Sequence, residues 1–112
     1  MITEKAYFAP GVAGLLSPLQ DFLDDADVSE ILIIRPQEAF VERNGTMLRF
    51  DLPVLTSQYL RRLFILIANE NKQTLSETSP LISGNLEDGS RVQLEIPQVA
   101  FYETLSIRKF TM

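Results

Sequence analysis

The sequence predicts an α+β fold: a mostly antiparallel sheet of about six strands, with an N-terminal helix and one long amphipathic helix. Three observations lead there. Short β-rich segments come as three strands, a helical stretch, then three more strands. Asn44-Gly45 and Asp88-Gly89 sit between consecutive strand segments as turns. A single apolar stripe at helical spacing runs between the two strand groups.

Residues up to about Gly14 read as an N-terminal arm, with Pro10, Gly11 and Gly14 interrupting any regular pattern. Ser17-Pro18-Leu19-Gln20 then signals a helix start. Serine can cap free amides, proline suits the first helical position, and glutamine can reach back to the cap. Leu15, Leu19, Phe22 and Leu23 fall at helical spacing, so this short helix should dock one face, and Asp24, Asp25 and Asp27 disfavour its continuation. Glu30 to Arg35 is an apolar, β-branched run, as a buried strand requires. Ala39 to Arg43 and Met47 to Asp51 flank the Asn44-Gly45 turn. From Thr56 or Ser57 to about Asn71, the residues Leu60, Leu63, Phe64, Ile67 and Ala68 form the helical stripe, with Arg61, Arg62, Asn69 and Glu70 off it. Leu81 to Leu86, Arg91 to Ile96 and Thr104 to Phe110 are the last three strands.

At 112 residues and 46% hydrophobic content, the chain has material for one small domain and a single core. Its formal charge is -5 and its ten basic residues are scattered, which argues against nonspecific duplex binding and direct nucleic-acid contact. Cysteine and histidine are absent, so disulfides, thiolate chemistry, the usual general base and the commonest metal ligand are excluded. The first residues lack a basic start followed by a long apolar run, so no secretory leader is expected. The longest apolar run, Leu63 to Ala68, is far too short for a bilayer, which makes the cytosol the default compartment.

The most informative stretch is Ser79 to Lys109. In Arg91-Val92-Gln93-Leu94-Glu95-Ile96 the polar residues alternate with Val92, Leu94 and Ile96. In Thr104-Leu105-Ser106-Ile107-Arg108 the same alternation puts Arg108 on the polar side. If the two strands pair around Pro97 to Glu103, Arg91 and Arg108 become about diagonal neighbours, and two guanidinium forks at that spacing suit a phosphate. A local salt-bridge cluster with Glu95 or Asp88 suits the same residues, and the spacing leaves both readings open.

Gly84 to Arg91 has the glycine spacing of a phosphate-binding P-loop but not its chemistry. Ser90 stands at the lysine position, Glu87 and Asp88 would repel phosphate, and a strand rather than a helix follows. The carboxylates Asp24, Asp25, Asp27 and Glu30 do not make a calcium loop either. Counted from Asp25, the glycine position holds Glu30 and the bidentate-glutamate position holds Pro36. Asn44-Gly45-Thr46 matches a glycosylation sequon, but without a leader it is simply a turn. Nothing in the spacing of serines and carboxylates pairs a nucleophile with a base, so no catalytic residue and no metal ligand is assigned.

The blocks Val28-Ser29-Glu30-Ile31, Phe40-Val41-Glu42-Arg43-Asn44-Gly45 and Leu75-Ser76-Glu77-Thr78-Ser79-Pro80-Leu81 carry a family resemblance. So do Leu86-Glu87-Asp88-Gly89-Ser90-Arg91-Val92-Gln93 and Ser106-Ile107-Arg108-Lys109. Together they resemble the N-terminal domain of the hexameric traffic ATPases of bacterial type IV secretion systems, in the type II/IV secretion ATPase superfamily. The resemblance runs from about Leu15 to Lys109. It implies an arm at 1–14, one PAS-like domain at 15–112, and a RecA-like ATPase domain that this chain does not contain. It also implies that the parent protein is an ATP hydrolase that uses ATP and Mg2+, assembles as a hexameric ring, and powers substrate export, conjugation or pilus assembly. Such a parent works with other secretion components at the cytoplasmic face of the inner membrane.

Carried over by motif, Arg91 and Arg108 would contact nucleotide phosphates, while this domain alone would neither hydrolyse ATP nor hold a cofactor. Ile34 departs from the family, where asparagine is common after the first strand. The alternative is a free-standing PAS-like module that binds a small ligand or a protein, for which a deep apolar cavity between the sheet and the Leu60 to Ala68 helix would speak.

Overall fold

The computed structural model describes residues 11–97 and 101–109. The element order is α1 (Val12–Leu15), a 3-10 turn (Ser17–Leu19), α2 (Gln20–Asp24), β1 (Val28–Ile33), β2 (Glu38–Arg43) and β3 (Thr46–Asp51). The chain continues with α3 (Ser57–Glu70), β4 (Leu81–Asn85), β5 (Arg91–Glu95) and β6 (Thr104–Arg108). The predicted α+β class is the class observed. The six strands form one sheet in the order β3-β2-β1-β6-β5-β4, and every neighbouring pair is antiparallel. Each half is a three-stranded meander of adjacent segments. The junction of β1 with β6 closes the sheet from opposite ends of the described chain.

The β2–β3 hairpin turns where the sequence places it. Asn44 and Gly45 both have positive φ, at 51° and 81°, the backbone that a tight turn between right-twisted strands requires. β1 starts two residues earlier than the apolar run suggests, at Val28, and its register shifts between Val28 and Glu30. That irregularity lets Val28, Ile31 and Ile33 all point into the core. Ile34 lies past the strand end and is 53% exposed.

The N-terminal region keeps the predicted helical start at Ser17, with Pro18 in its first positions, but corrects the capping. Gly14 lies inside α1 instead of breaking it, and Ser17 makes no side-chain cap. The Gln20 amide reaches forward to Asp24 at 2.8 Å, not back to the serine. Leu15 and Leu19 are buried, with Phe22 and Leu23 packed beside them, so the docking face itself is as predicted. The arm residues before Gly11, and the proposed strand end at Phe110, lie outside the described residues.

Helix α3 follows its stripe closely. Thr56 caps it by accepting the Tyr59 N–H at 3.1 Å. Leu60, Leu63, Phe64, Ile67 and Ala68 are buried with at most 1% exposure. The helix stops where Lys72 takes a left-handed φ of 58° and the Gln73 N–H returns to the Ala68 carbonyl at 2.8 Å. All three helices cover one face of the sheet, where Ile31, Ile33, Val41, Leu94, Leu105 and Ile107 meet them. The opposite face is open. This two-layer build makes the polar side chains of the central strands available to solvent.

Candidate anion site

The open face is organised by register. Glu42 on β2 opposes Glu30 on β1, Glu30 opposes Arg108 on β6, Arg108 opposes Arg91 on β5, and Arg91 opposes Asn85 on β4. Adjacent strands lie about 4.8 Å apart, so this is one continuous row of side chains across the sheet. Arg91 and Arg108 are therefore direct cross-strand partners, which corrects the diagonal placement expected from the sequence. A two-residue difference in the β5–β6 register separates an opposed pair from a diagonal one on the same face, whereas a one-residue slip would put the two arginines on opposite faces.

Two like charges directly opposite one another destabilise a sheet by roughly 0.2–1 kcal/mol. The pair is not neutralised by the carboxylates named from the sequence. Glu95 accepts from the Thr104 hydroxyl at 3.2 Å and from the Gln93 amide at 3.4 Å. Asp88 accepts the Ser90 N–H at 2.8 Å. Among the described residues Arg91 has no carboxylate within 4.0 Å, and Arg108 reaches only Glu30, at 4.0 Å, the outer limit of an ion pair.

Beside the arginines the next row of the sheet carries Ser83, Gln93 and Ser106, which are cross-strand partners in turn. With Arg91 and Arg108 they line an open groove of about 310 Å³. Two guanidinium groups, two hydroxyls and a carboxamide supply many N–H and O–H donors, as a multi-oxygen anion requires. Ser83, Gln93 and Ser106 were not singled out from the sequence, although the alternation that marks the arginines places them on the same face. Glu30 was read as the start of the first strand and as part of the acidic run, but not as a partner of the arginines, because its meeting with Arg108 depends on the β1–β6 pairing.

The false P-loop resolves into structure. Gly84 and Asn85 end β4, Gly89 turns with a φ of 93°, and Arg91 starts β5. Gly84 is glycine because a Cβ there would sit 2.5 Å from Asn71 Cγ and Oδ1. The acidic run likewise disperses. Asp25 pairs with Arg43 at 3.0 Å and accepts the Asp27 N–H at 2.8 Å, while Glu30 faces the open side of the sheet.

Two further features bear on ligands. A groove of about 330 Å³ lies between α1–α2, the end of α3 and the β4–β5 turn, and it carries Glu70, Glu87 and Asp88. Those carboxylates repel phosphate, so this larger groove does not compete for the role of anion site. The space between the sheet and α3 is filled by side chains such as Phe64, Leu60 and Leu94, each fully buried, so the cavity that a PAS-like ligand module would use is closed. Among the described residues no helix is long and apolar enough to cross a membrane.

No family model matches the chain. It is similar to VirB11 of Agrobacterium fabrum strain C58, with 37% identity over 98 residues, covering 88% of this chain and 28% of that protein. It is similar to the type IV secretion system protein VirB11 of Brucella suis biovar 1, with 32% identity over 92 residues, covering 82% of this chain and 26% of that protein. The fold matches the crystal structure of the VirB11 ATPase from the Brucella suis type IV secretion system in complex with sulphate. The TM-score is 0.86 and the identity 30%, over 90% of this chain and 32% of that one. The chain thus spans little more than a quarter of the relatives it matches.

Proposed function

The chain is a homologue of the N-terminal region of VirB11 proteins, and on that premise we propose that it is the domain of a type IV secretion ATPase that forms part of a ring and contacts nucleotide phosphates. In this reading the parent is a hexamer that hydrolyses ATP with Mg2+ on a separate RecA-like domain. It works with other secretion components at the cytoplasmic face of the inner membrane, for substrate export, conjugation or pilus assembly. This domain adds charge rather than chemistry. Arg91 and Arg108 neutralise phosphate oxygens, and the presence or loss of phosphate is felt as domain closure or opening.

The observation that carries the reading is the direct opposition of Arg91 and Arg108 on an uncovered sheet face. Like charges held side by side next to three more hydrogen-bonding side chains cost stability unless an anion visits them. The pairing needs no residue from beyond the domain to hold its shape.

The test is a titration of the chain with ATP and with inorganic phosphate, followed by backbone amide shifts. Shifts should cluster on β5 and β6 around positions 91, 93, 106 and 108, and saturate weakly, in the millimolar range, because each phosphate contact is exposed. Arg91→Ala combined with Arg108→Ala should remove them. A purely assembly-forming domain would bind no better with the arginines than without them, and shifts scattered away from β5 and β6 would sink the proposal. The chain by itself should not turn over ATP, and turnover lost with the two arginines would contradict this account.

A further inference from the structure

We infer that Glu30 is a built-in counter-ion of the Arg91–Arg108 pair, holding Arg108 when no anion is present and lowering the affinity of the site for anions. The inference rests on the reading of that pair as a phosphate-contacting site. It starts from the row across the open face, where Glu30 is the direct cross-strand partner of Arg108 on the side away from Arg91. Arg108 thus stands between a carboxylate on one side and a second guanidinium on the other.

The two partners are unequally held. The Glu30 side chain is 21% exposed, whereas that of Arg108 is 74% exposed. The carboxylate is therefore fixed against the sheet, and the long, solvated guanidinium is the group that swings. Their separation of 4.0 Å leaves room for Arg108 to lean toward either neighbour. Glu42, the next carboxylate along the row, already accepts the Ser29 hydroxyl at 2.9 Å. Among the described residues the Glu30 carboxylate accepts no hydrogen bond, so Arg108 is the charge it has to work with.

A phosphate arriving at Arg91 offers Arg108 a charge-assisted hydrogen bond better than the loose pair it leaves. Glu30 stays behind as a nearby negative charge and repels the bound anion. That repulsion grows with the charge of the anion and fades with salt. The device lets a doubly charged phosphate bind and leave readily, and it keeps the arginine pair from being left bare when the site is empty.

The experiment titrates inorganic phosphate at pH 8, at low and at high salt, into the chain and into Glu30→Gln, following the amides of β1, β5 and β6. Exposed charge pairs of this kind are worth roughly a twofold to fivefold change in affinity. Glu30→Gln should therefore tighten phosphate about twofold to fivefold at low salt, tighten chloride less, and lose the gain near 1 M salt, where the screening length is about 3 Å. A merely structural role for Glu30 would not disappear with salt. Glu42→Gln, one strand further from Arg108, should leave affinity within about twofold at low salt.

If phosphate binds through Arg91 and Arg108 but Glu30→Gln binds it no more tightly, the counter-ion role is wrong and the site reading stands. If phosphate fails to move β5 and β6 in the unaltered chain, the site reading falls and takes this inference with it. Should Glu30→Gln unfold, Glu30→Asp keeps the charge and withdraws it by one methylene. It should tighten phosphate by a smaller factor, and no change with a preserved fold counts against the role.

Discussion

The contact between Asn71 and Gly84 makes a sharp quantitative prediction. Asn71 follows the last residue of α3, and its side chain grips the exposed edge of β4. Its Oδ1 accepts the Asn85 N–H at 3.0 Å, and its Nδ2 donates to the Asn85 carbonyl at 3.1 Å and to the Ile67 carbonyl at 2.9 Å. Gln73 adds a bond to the Ser83 carbonyl at 2.8 Å. These residues act as a substitute strand on an edge that would otherwise be open to pairing with another chain.

Asn71→Ala removes three hydrogen bonds at a site where water can replace part of each. At about 0.5–1 kcal/mol per bond, the loss is about 1.5–3 kcal/mol. For a domain of this size that lowers Tm by roughly 6–12 °C. Gly84→Ala should cost a similar amount by a different route. The new methyl would lie 2.5 Å from Asn71 Cγ and Oδ1, so the carboxamide must swing away and break the same bonds.

In an Asn71→Ala background the obstruction is gone, and alanine at 84 should be neutral or slightly stabilising, by up to about 0.5 kcal/mol, through the less flexible unfolded chain. Urea unfolding of the two single variants and the double variant closes the cycle. The expected coupling is about 1.5–3 kcal/mol, so the double variant should be no less stable than Asn71→Ala alone. Additive losses would show that the two residues do not share one lock and would refute the reasoning.

Two other outcomes follow from the core and the helix packing. Phe64 is fully buried at the centre of the α3 stripe, so Phe64→Ala should cost about 3–5 kcal/mol in chemical unfolding, and a loss below about 1 kcal/mol would mean the site collapses freely. Tyr59 donates its hydroxyl to the Leu15 carbonyl at 2.8 Å. Burial raises its pKa above the usual 10.0, an effect the Ser17 hydrogen bond and the Arg62 charge only partly offset. An acid with a raised folded-state pKa contributes stability that is complete below the unfolded value and lost as pH rises through the folded one. Alkaline unfolding above about pH 10 should therefore carry a Tyr59 component that Tyr59→Phe removes.

The features legible in the sequence are those encoded by neighbours. The Asn44-Gly45 turn, the α3 stripe from Leu60 to Ala68 and the alternation of Arg91 to Ile96 each rest on residues within a few positions of one another. The cap was misjudged for the same reason. Ser17-Pro18 does open a helical turn with proline in its first positions, but Ser17 makes no cap, and a separate short helix, α1, precedes it with Val12 and Leu15 buried in the core. Lys109 gave no local signal at all, yet its ammonium group holds the carbonyls of Phe22 and Asp25, tying the end of β6 to the end of α2.

By itself, then, the sequence determined the α+β class, the polar face that bears Arg91 and Arg108, and the failure of Gly84 to Arg91 as a P-loop. Periodicity and side-chain chemistry are written along the chain, so they can be read there. Only the tertiary structure decided that the two arginines stand directly opposite one another, that Glu30 stands on their far side, and that Asn71 closes the sheet edge. Each of these depends on the register between segments far apart in sequence, and register is set by the packing of the whole sheet against its helices rather than by any one strand.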